Sequence, residues 1–132
     1  MATISHPSHI TVIVKDQDAA KDFYTQAFDL AVTMDSEFEM GDATMRWLTV
    51  GPEGGAWNIA ITLPMAMPGR DPPPVGDANM TVLITDDVDA VCKQVEAAGG
   101  LVDSAPEDLP WGRSAVVRDP DGNPWNLVTE SQ

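Results

Sequence analysis

Apolar and polar side chains alternate from residue 9 onward: Ile10, Val12 and Val14 fall on one face, and His9, Thr11 and Ile13 on the other. A period of two in a β-branched run predicts a strand with one face on a core. The period then becomes helical. After Asp16 or Asp18, either of which can cap a helix, Ala20, Phe23, Tyr24, Ala27 and Phe28 recur at helical spacing. These aromatics are expected in the core and not around a cofactor. Three strands are expected next: a short one near 37–40, then 45–50 (MRWLTV) and 57–63 (WNIAITL), the last two divided by Gly51-Pro52-Glu53-Gly54-Gly55.

Residues 64–77, PMAMPGRDPPPVGD, carry five prolines and can join neither a helix nor a central strand. Beyond them the order repeats. A strand is expected at 80–85 and a helix near 87–98 that turns Val88, Val91, Cys92, Val95 and Ala98 inward and stops at Gly99-Gly100. A short strand near 101–103 and strands at 113–118 and 124–129 follow, the last pair joined by the turn sequence Asp119-Pro120-Asp121-Gly122. HITVIVKDQDAAKDFY at 9–24 and NMTVLITDDVDAVCKQ at 79–94 are two versions of one phrase, the mark of a duplicated unit. The expected organisation is one domain over 1–132, with unit one at about 5–64, a linker at about 65–78 and unit two at about 79–130. The copies differ at their start: His9 opens the first, Asn79 and Met80 the second.

With 132 residues and 43% hydrophobic content, the chain is long enough for one core without staples. It has no apolar run of the roughly 18–20 residues that a membrane span requires, and no basic leader, so a cytoplasmic, soluble protein is expected. The lone Cys92 excludes an intrachain disulfide and reads as a buried structural thiol. A net charge of −14 argues against nucleic acid and anionic membranes as partners. The dispersed acids fit either a solvated surface suited to high salt or a field that attracts a cationic ligand.

HITVIVKD followed by AAKDFY, the DDVDA-to-AAGG helix and RDPDGNPWNLV occur here in an order and at separations that resemble the vicinal oxygen chelate superfamily. That superfamily contains glyoxalase I, bleomycin-resistance proteins, fosfomycin-resistance enzymes, methylmalonyl-CoA epimerases and extradiol dioxygenases. The resemblance covers almost the whole chain. It implies an α+β fold in which two βαβββ units form a curled mixed sheet around a cup, with the helices on the outer face, and it implies a homodimer.

It also implies four metal-ligand positions, and the chain fills them poorly. The first matches His9; the second falls in 57–63, on Ala60 or Thr62; the third on Met80 by the DDVDA register or Asn79 by the repeat; the fourth on Asn126, where enzymes of the family carry Glu. A catalytic divalent ion needs about three protein ligands. No cofactor is therefore expected, an altered metal site being the less favoured alternative. No G-x-S-x-G elbow, Walker loop or dinucleotide fingerprint is present. If any residue is catalytic it is His9, as a metal-free acid–base group.

Without a metal the cup becomes a pocket. Alternation and the family register line it with His9, Thr11 and Ile13, with Asn58, Ala60 and Thr62, and with Met80, Val82, Asn126 and Val128. Trp125 is expected in the core, whereas Trp47 and Trp57 fit either face. Trp111, in the loop before Arg113, could stack a planar ligand; Arg113 could pair with a ligand anion or answer the surface acids. The proline-rich segment reads as a linker, with a lid or dimer arm as alternatives. The resulting expectation is a metal-independent small-molecule binder of the sequestration or resistance type, its ligand planar or cationic. The alternative is a lyase, isomerase or dioxygenase of the same superfamily.

Overall fold

The computed structural model describes residues 2–55, 57–65, 72–78 and 80–130. Unit one is β1 (His9–Ile13), α1 (Gln17–Ala27), β2 (Ala31–Met40), β3 (Ala43–Gly51) and β4 (Asn58–Thr62). Unit two is β5 (Thr81–Ile84), α2 (Val88–Ala97), β6 (Leu101–Leu109), β7 (Gly112–Arg118) and β8 (Pro124–Glu130). Each helix starts at an aspartate whose carboxylate accepts an orphan backbone N–H: Asp16 from Ala19 at 3.1 Å, Asp87 from Ala90 at 3.0 Å. The caps lie 71 positions apart, which makes Met80 the counterpart of His9. Asn79, the other candidate, lies outside the described residues.

Both units build the same mixed sheet. Strand order is β1-β4-β3-β2 in one and β5-β8-β7-β6 in the other, with β1 parallel to β4 and β5 parallel to β8. This is the expected α+β arrangement, and among the described residues each unit keeps a four-stranded sheet of its own. Alternation assigns the faces. Val12, Leu48, Val50, Ile59 and Ile61 of sheet one and Ala115, Val117, Trp125 and Leu127 of sheet two enter one shared core with Phe23 and Tyr24 of α1 and Val88, Cys92 and Val95 of α2. Each sheet thus gives one face to the helices and core and turns its other face outward.

A buried polar knot joins the units. Asp119, 3% exposed, accepts the Tyr24 hydroxyl at 2.6 Å, the Asn123 side-chain amide at 2.8 Å and the backbone N–H groups of Asn123 and Asp121. Trp125 Nε1 donates to the same tyrosine oxygen at 3.1 Å, while the Asn123 amide also reaches the Ile13 carbonyl at 3.2 Å. Burial and the adjacent carboxylate of Asp119 push the Tyr24 hydroxyl well above the usual phenol range, so it stays a donor. The described end of the linker is tied to the same place: Gly76 N–H donates to Ile13 O, and Ala78 N–H to Asn123 Oδ1. Gly76 holds φ at +78°, and a Cβ there would collide with the Asp121 carbonyl oxygen, so the close approach requires glycine. Residues 66–71 of the linker lie outside the described residues.

Two strands are longer than the sequence predicts. β2 begins at Ala31, well before 37, and β6 runs to Leu109, well past 103. Both are sheet edges and largely exposed: β2 alternates Met34, Phe38 and Met40 with Asp35, Glu37 and Glu39 but buries neither face, and β6 contains Pro106, tolerated where a register shift interrupts the ladder.

Candidate ligand-binding site

The outward face of unit one carries the candidate chemistry. On β2 the residues Met34, Ser36, Phe38 and Met40 lie opposite Thr49, Trp47, Met45 and Ala43 of β3. On the same side, His9 of β1 pairs in register with Asn58 of β4, Thr11 with Ala60, and Ile13 with Thr62. Two hollows open on this surface. One, of about 230 Å³, is lined by Ser8, His9, Thr33, Met34, Trp47, Thr49 and Asn58. The other, of about 600 Å³, is walled chiefly by Phe38, Met40, Met45, Trp47, Thr62, Leu63 and Met65. Trp47 is a wall of both.

The smaller hollow is polar at its base. Asn58 Oδ1 accepts from the Thr33 hydroxyl at 2.6 Å, and that hydroxyl is 2.7 Å from the Thr49 hydroxyl. The His9 ring meets Trp47 edge-on, centroids 5.2 Å apart and planes at 80°, with Nδ1 3.2 Å from the Ser8 hydroxyl. Such a contact holds an exposed ring in place. The larger hollow is apolar and soft. Met34, Met40, Met45, Met65 and Met80 are all the methionines among the described residues; four line these hollows, Met80 holds the His9-equivalent position, and the core contains none. Thioether side chains are flexible and polarizable, which suits a wall that must fit a guest.

The remaining expected site residues are placed as follows. Thr11 is exposed on this face but lines neither hollow, and Thr62 bonds back to the Val12 carbonyl at 3.2 Å while lining the larger one. Met80, 53% exposed, and Asn126 belong to the outward face of unit two, where the Asn126 amide is committed to the Ser114 hydroxyl at 2.8 Å and the Ala115 carbonyl at 2.9 Å. Trp111 stands in the turn between β6 and β7 and lines neither hollow; Trp57 packs against the core, as Trp125 does within it.

Arg113 needs a correction. It alternates with Ser114 onto the opposite side of β7, where its guanidinium holds Asp89 at 2.7 and 3.0 Å and Asp108 at 3.0 Å. Of the two roles the sequence left open, the geometry selects the answer to surface acids. Arg46 of β3 does the same in unit one, holding Asp35 through two 2.8 Å bonds and Asp18 at 2.9 Å. These bonds hold the carboxyls of Asp35 and Asp89 below their ordinary range. The cationic-ligand expectation is weakened in the same way: among the described residues neither hollow is lined by Asp or Glu, and Asp35 is held by the guanidinium of Arg46, the one charged group that lines the larger hollow.

The residues do not fit a divalent metal. His9 is joined by the methyl of Ala60, the thioether of Met80 and the committed amide of Asn126, and no group of three His, Cys, Asp or Glu among the described residues could hold an ion. A further hollow of about 260 Å³ lies in the seam between the units, against Phe28, Leu30, Trp57, Leu83 and Val91, and contains none of the expected site residues.

Paired βαβββ units, each with its own mixed sheet, and an open, soft-walled face define a member of the glyoxalase fold class. The chain belongs to the Glyoxalase/Bleomycin resistance protein/Dioxygenase superfamily, whose family model matches residues 6–127. An antibiotic binding protein from a Streptomyces species is similar at 34% identity, with 99% of this chain and 100% of that one covered and a TM-score of 0.75. A superfamily member from Sphaerobacter thermophilus is similar at 33% identity, 96% and 98% coverage and a TM-score of 0.77. A probable lactoylglutathione lyase of Vibrio cholerae is 29% identical over 127 residues, which are 94% of this chain and 90% of that protein.

Proposed function

We propose that the chain captures a small molecule on the outward face of unit one, in a sequestration or resistance role that uses no metal and breaks no bond. The observation that carries this reading is the segregation of side chains among the described residues: four methionines and Trp47 on the hollowed face, and no methionine in the core. Catalysis needs rigidly aimed groups, whereas a soft apolar wall with few polar anchors serves retention. The antibiotic-binding relative supports the same reading. Capture would take place in the cytoplasm as a homodimer. Val82 and Ile84 of β5, 57% and 61% exposed, give unit two an apolar face with which a second copy could cover these hollows.

A thermal-shift screen tests capture: a compound held at a hundred times its Kd raises stability by about 2.7 kcal/mol. Stabilisation that disappears in Trp47→Ala supports the reading, and no shift across a broad apolar panel refutes it. Sedimentation of the wild type against Val82→Asp tests the dimer, which the charge should split.

The similarity to a probable lactoylglutathione lyase favours a second reading, in which His9 moves a proton or joins an altered metal site. Stoichiometric Zn²⁺ or Ni²⁺ lost on His9→Ala, together with lactoylglutathione formation, would establish it in place of capture.

A further inference from the structure

We infer that the guest is uncharged, flat and multi-ring, and that it presents a carbonyl-type oxygen to Asn58 and His9. This rests on the capture reading and adds the chemistry of the guest. Charge is decided by the lining. Among the described residues neither hollow is lined by a carboxylate, and the one charged group that lines either, Arg46, spends its guanidinium on Asp35 and Asp18. A cation or anion would shed water here without a free counter-charge, and burying an unpaired charge is costly. The net charge of −14 therefore belongs to the surroundings of the site and not to its walls.

Shape follows from Trp47. It walls both the 230 Å³ and the 600 Å³ hollows, so a guest occupying both lies along the indole, and a flat ring system gains most from that contact. The larger hollow is of the size that small-molecule sites usually have. Its methionine walls tolerate different ring outlines, so the oxygen end must fix the orientation.

That end is set by two neighbouring donors. Asn58 Oδ1 is occupied by Thr33, and its side-chain NH₂ meets no acceptor among the described residues. His9, its ladder partner, has Nδ1 beside the Ser8 hydroxyl, which as a donor leaves Nε2–H free. A carbonyl oxygen has two lone pairs and can accept from both groups.

The test compares three probes of nearly the same outline by tryptophan fluorescence quenching: xanthone, which has the carbonyl; xanthene, which lacks it; and N-methylacridinium, which is cationic. Xanthone should bind tightest, xanthene about tenfold weaker for the lost hydrogen bonds, and N-methylacridinium no better than xanthene. Asn58→Ala should bring xanthone down to the affinity of xanthene and leave xanthene unchanged. His9→Phe, at the exposed start of β1, should do the same in part and guards against a folding defect in the first variant. The inference is overturned if N-methylacridinium binds tighter than xanthone, or if both substitutions weaken xanthone and xanthene equally. If none of the three binds but cationic compounds raise the melting temperature, capture stands and this inference fails. If no compound does so, both fail.

Discussion

Unit one and unit two repeat the same clasp on the side facing their helices. Arg46 of β3 ties Asp18 in the first turn of α1 to Asp35 of β2, and Arg113 of β7 ties Asp89 in the first turn of α2 to Asp108 of β6. The aspartate caps and the parallel-antiparallel strand order repeat too. On the outward side almost nothing does. His9 corresponds to Met80, Ala60 to Asn126, Thr62 to Val128 and Trp47 to Ser114. The difference separates what the fold needs from what the proposed capture would need. Features that hold a helix on a sheet occur in both units, and the hollows described here, with their indole and thioether walls, belong to one.

The largest effect is expected where the units are joined. Asp119→Ala would strand the Tyr24 hydroxyl and the Asn123 amide in the core and should cost about 3 kcal/mol. Urea unfolding should remain a single transition, because the core is shared; two separated transitions would show that the units stand independently. Next comes the contrast of tryptophans. Trp47→Ala should weaken xanthone by about thirtyfold, the size of effect expected for a central aromatic anchor, while Trp111→Ala leaves it within about twofold. Equal losses would place the guest elsewhere.

A smaller gain is expected from Asp121→Asn. Burial first, then the neighbouring Asp119, raises the Asp121 carboxyl above its ordinary range, and its Oδ1 is buried with no partner among the described residues. A raised folded-state value means that the stability this group contributes is present below the unfolded value of about 3.9 and is lost as pH rises through the folded one. The variant should therefore melt about 1–3 °C higher than wild type at pH 7, and the advantage should vanish below about pH 4. A gain at pH 3 as large as at pH 7 would exclude this cause. The smallest effects belong to the clasps. Arg46→Gln and Arg113→Gln should each lower the melting temperature slightly and by similar amounts, with xanthone affinity unchanged in Arg113→Gln. Lost affinity there would return Arg113 to the site.

The elements that bury a face were legible in the sequence. β1, α1, β4 and α2 carry their periods because half of each meets the core, and Asp16 and Asp87 announce the helix starts. β2 and β6 were half-missed because an exposed edge strand answers to its hairpin partner and not to a core. The facing of His9 and Asn58 in the candidate site was legible, because it follows from strand alternation. Met34, Phe38, Met40 and Met45 were not singled out, since their shared face depends on where β2 starts and on its pairing with β3. A usable signal was present: along 32–40 Val32, Met34, Phe38 and Met40 alternate with Thr33, Asp35, Glu37 and Glu39. For Arg113 the sequence left two roles open, because a single residue's facing depends on the β7 register and sequence spacing does not set that.

β5 has a further consequence for how the chain behaves in solution. It is a four-residue strand at a sheet edge, with Val82 and Ile84 more than half exposed. An unpaired apolar edge is a template for stacking copies without limit, so each newly made chain runs the risk of precipitating. The charge of −14 works against that outcome: it makes indiscriminate approach between like chains costly at long range and leaves only contacts that bury enough apolar area to overcome it. The acidity that suggested a cationic guest thus acts as a colloidal safeguard, and desalted and salted preparations should differ first in how readily they aggregate.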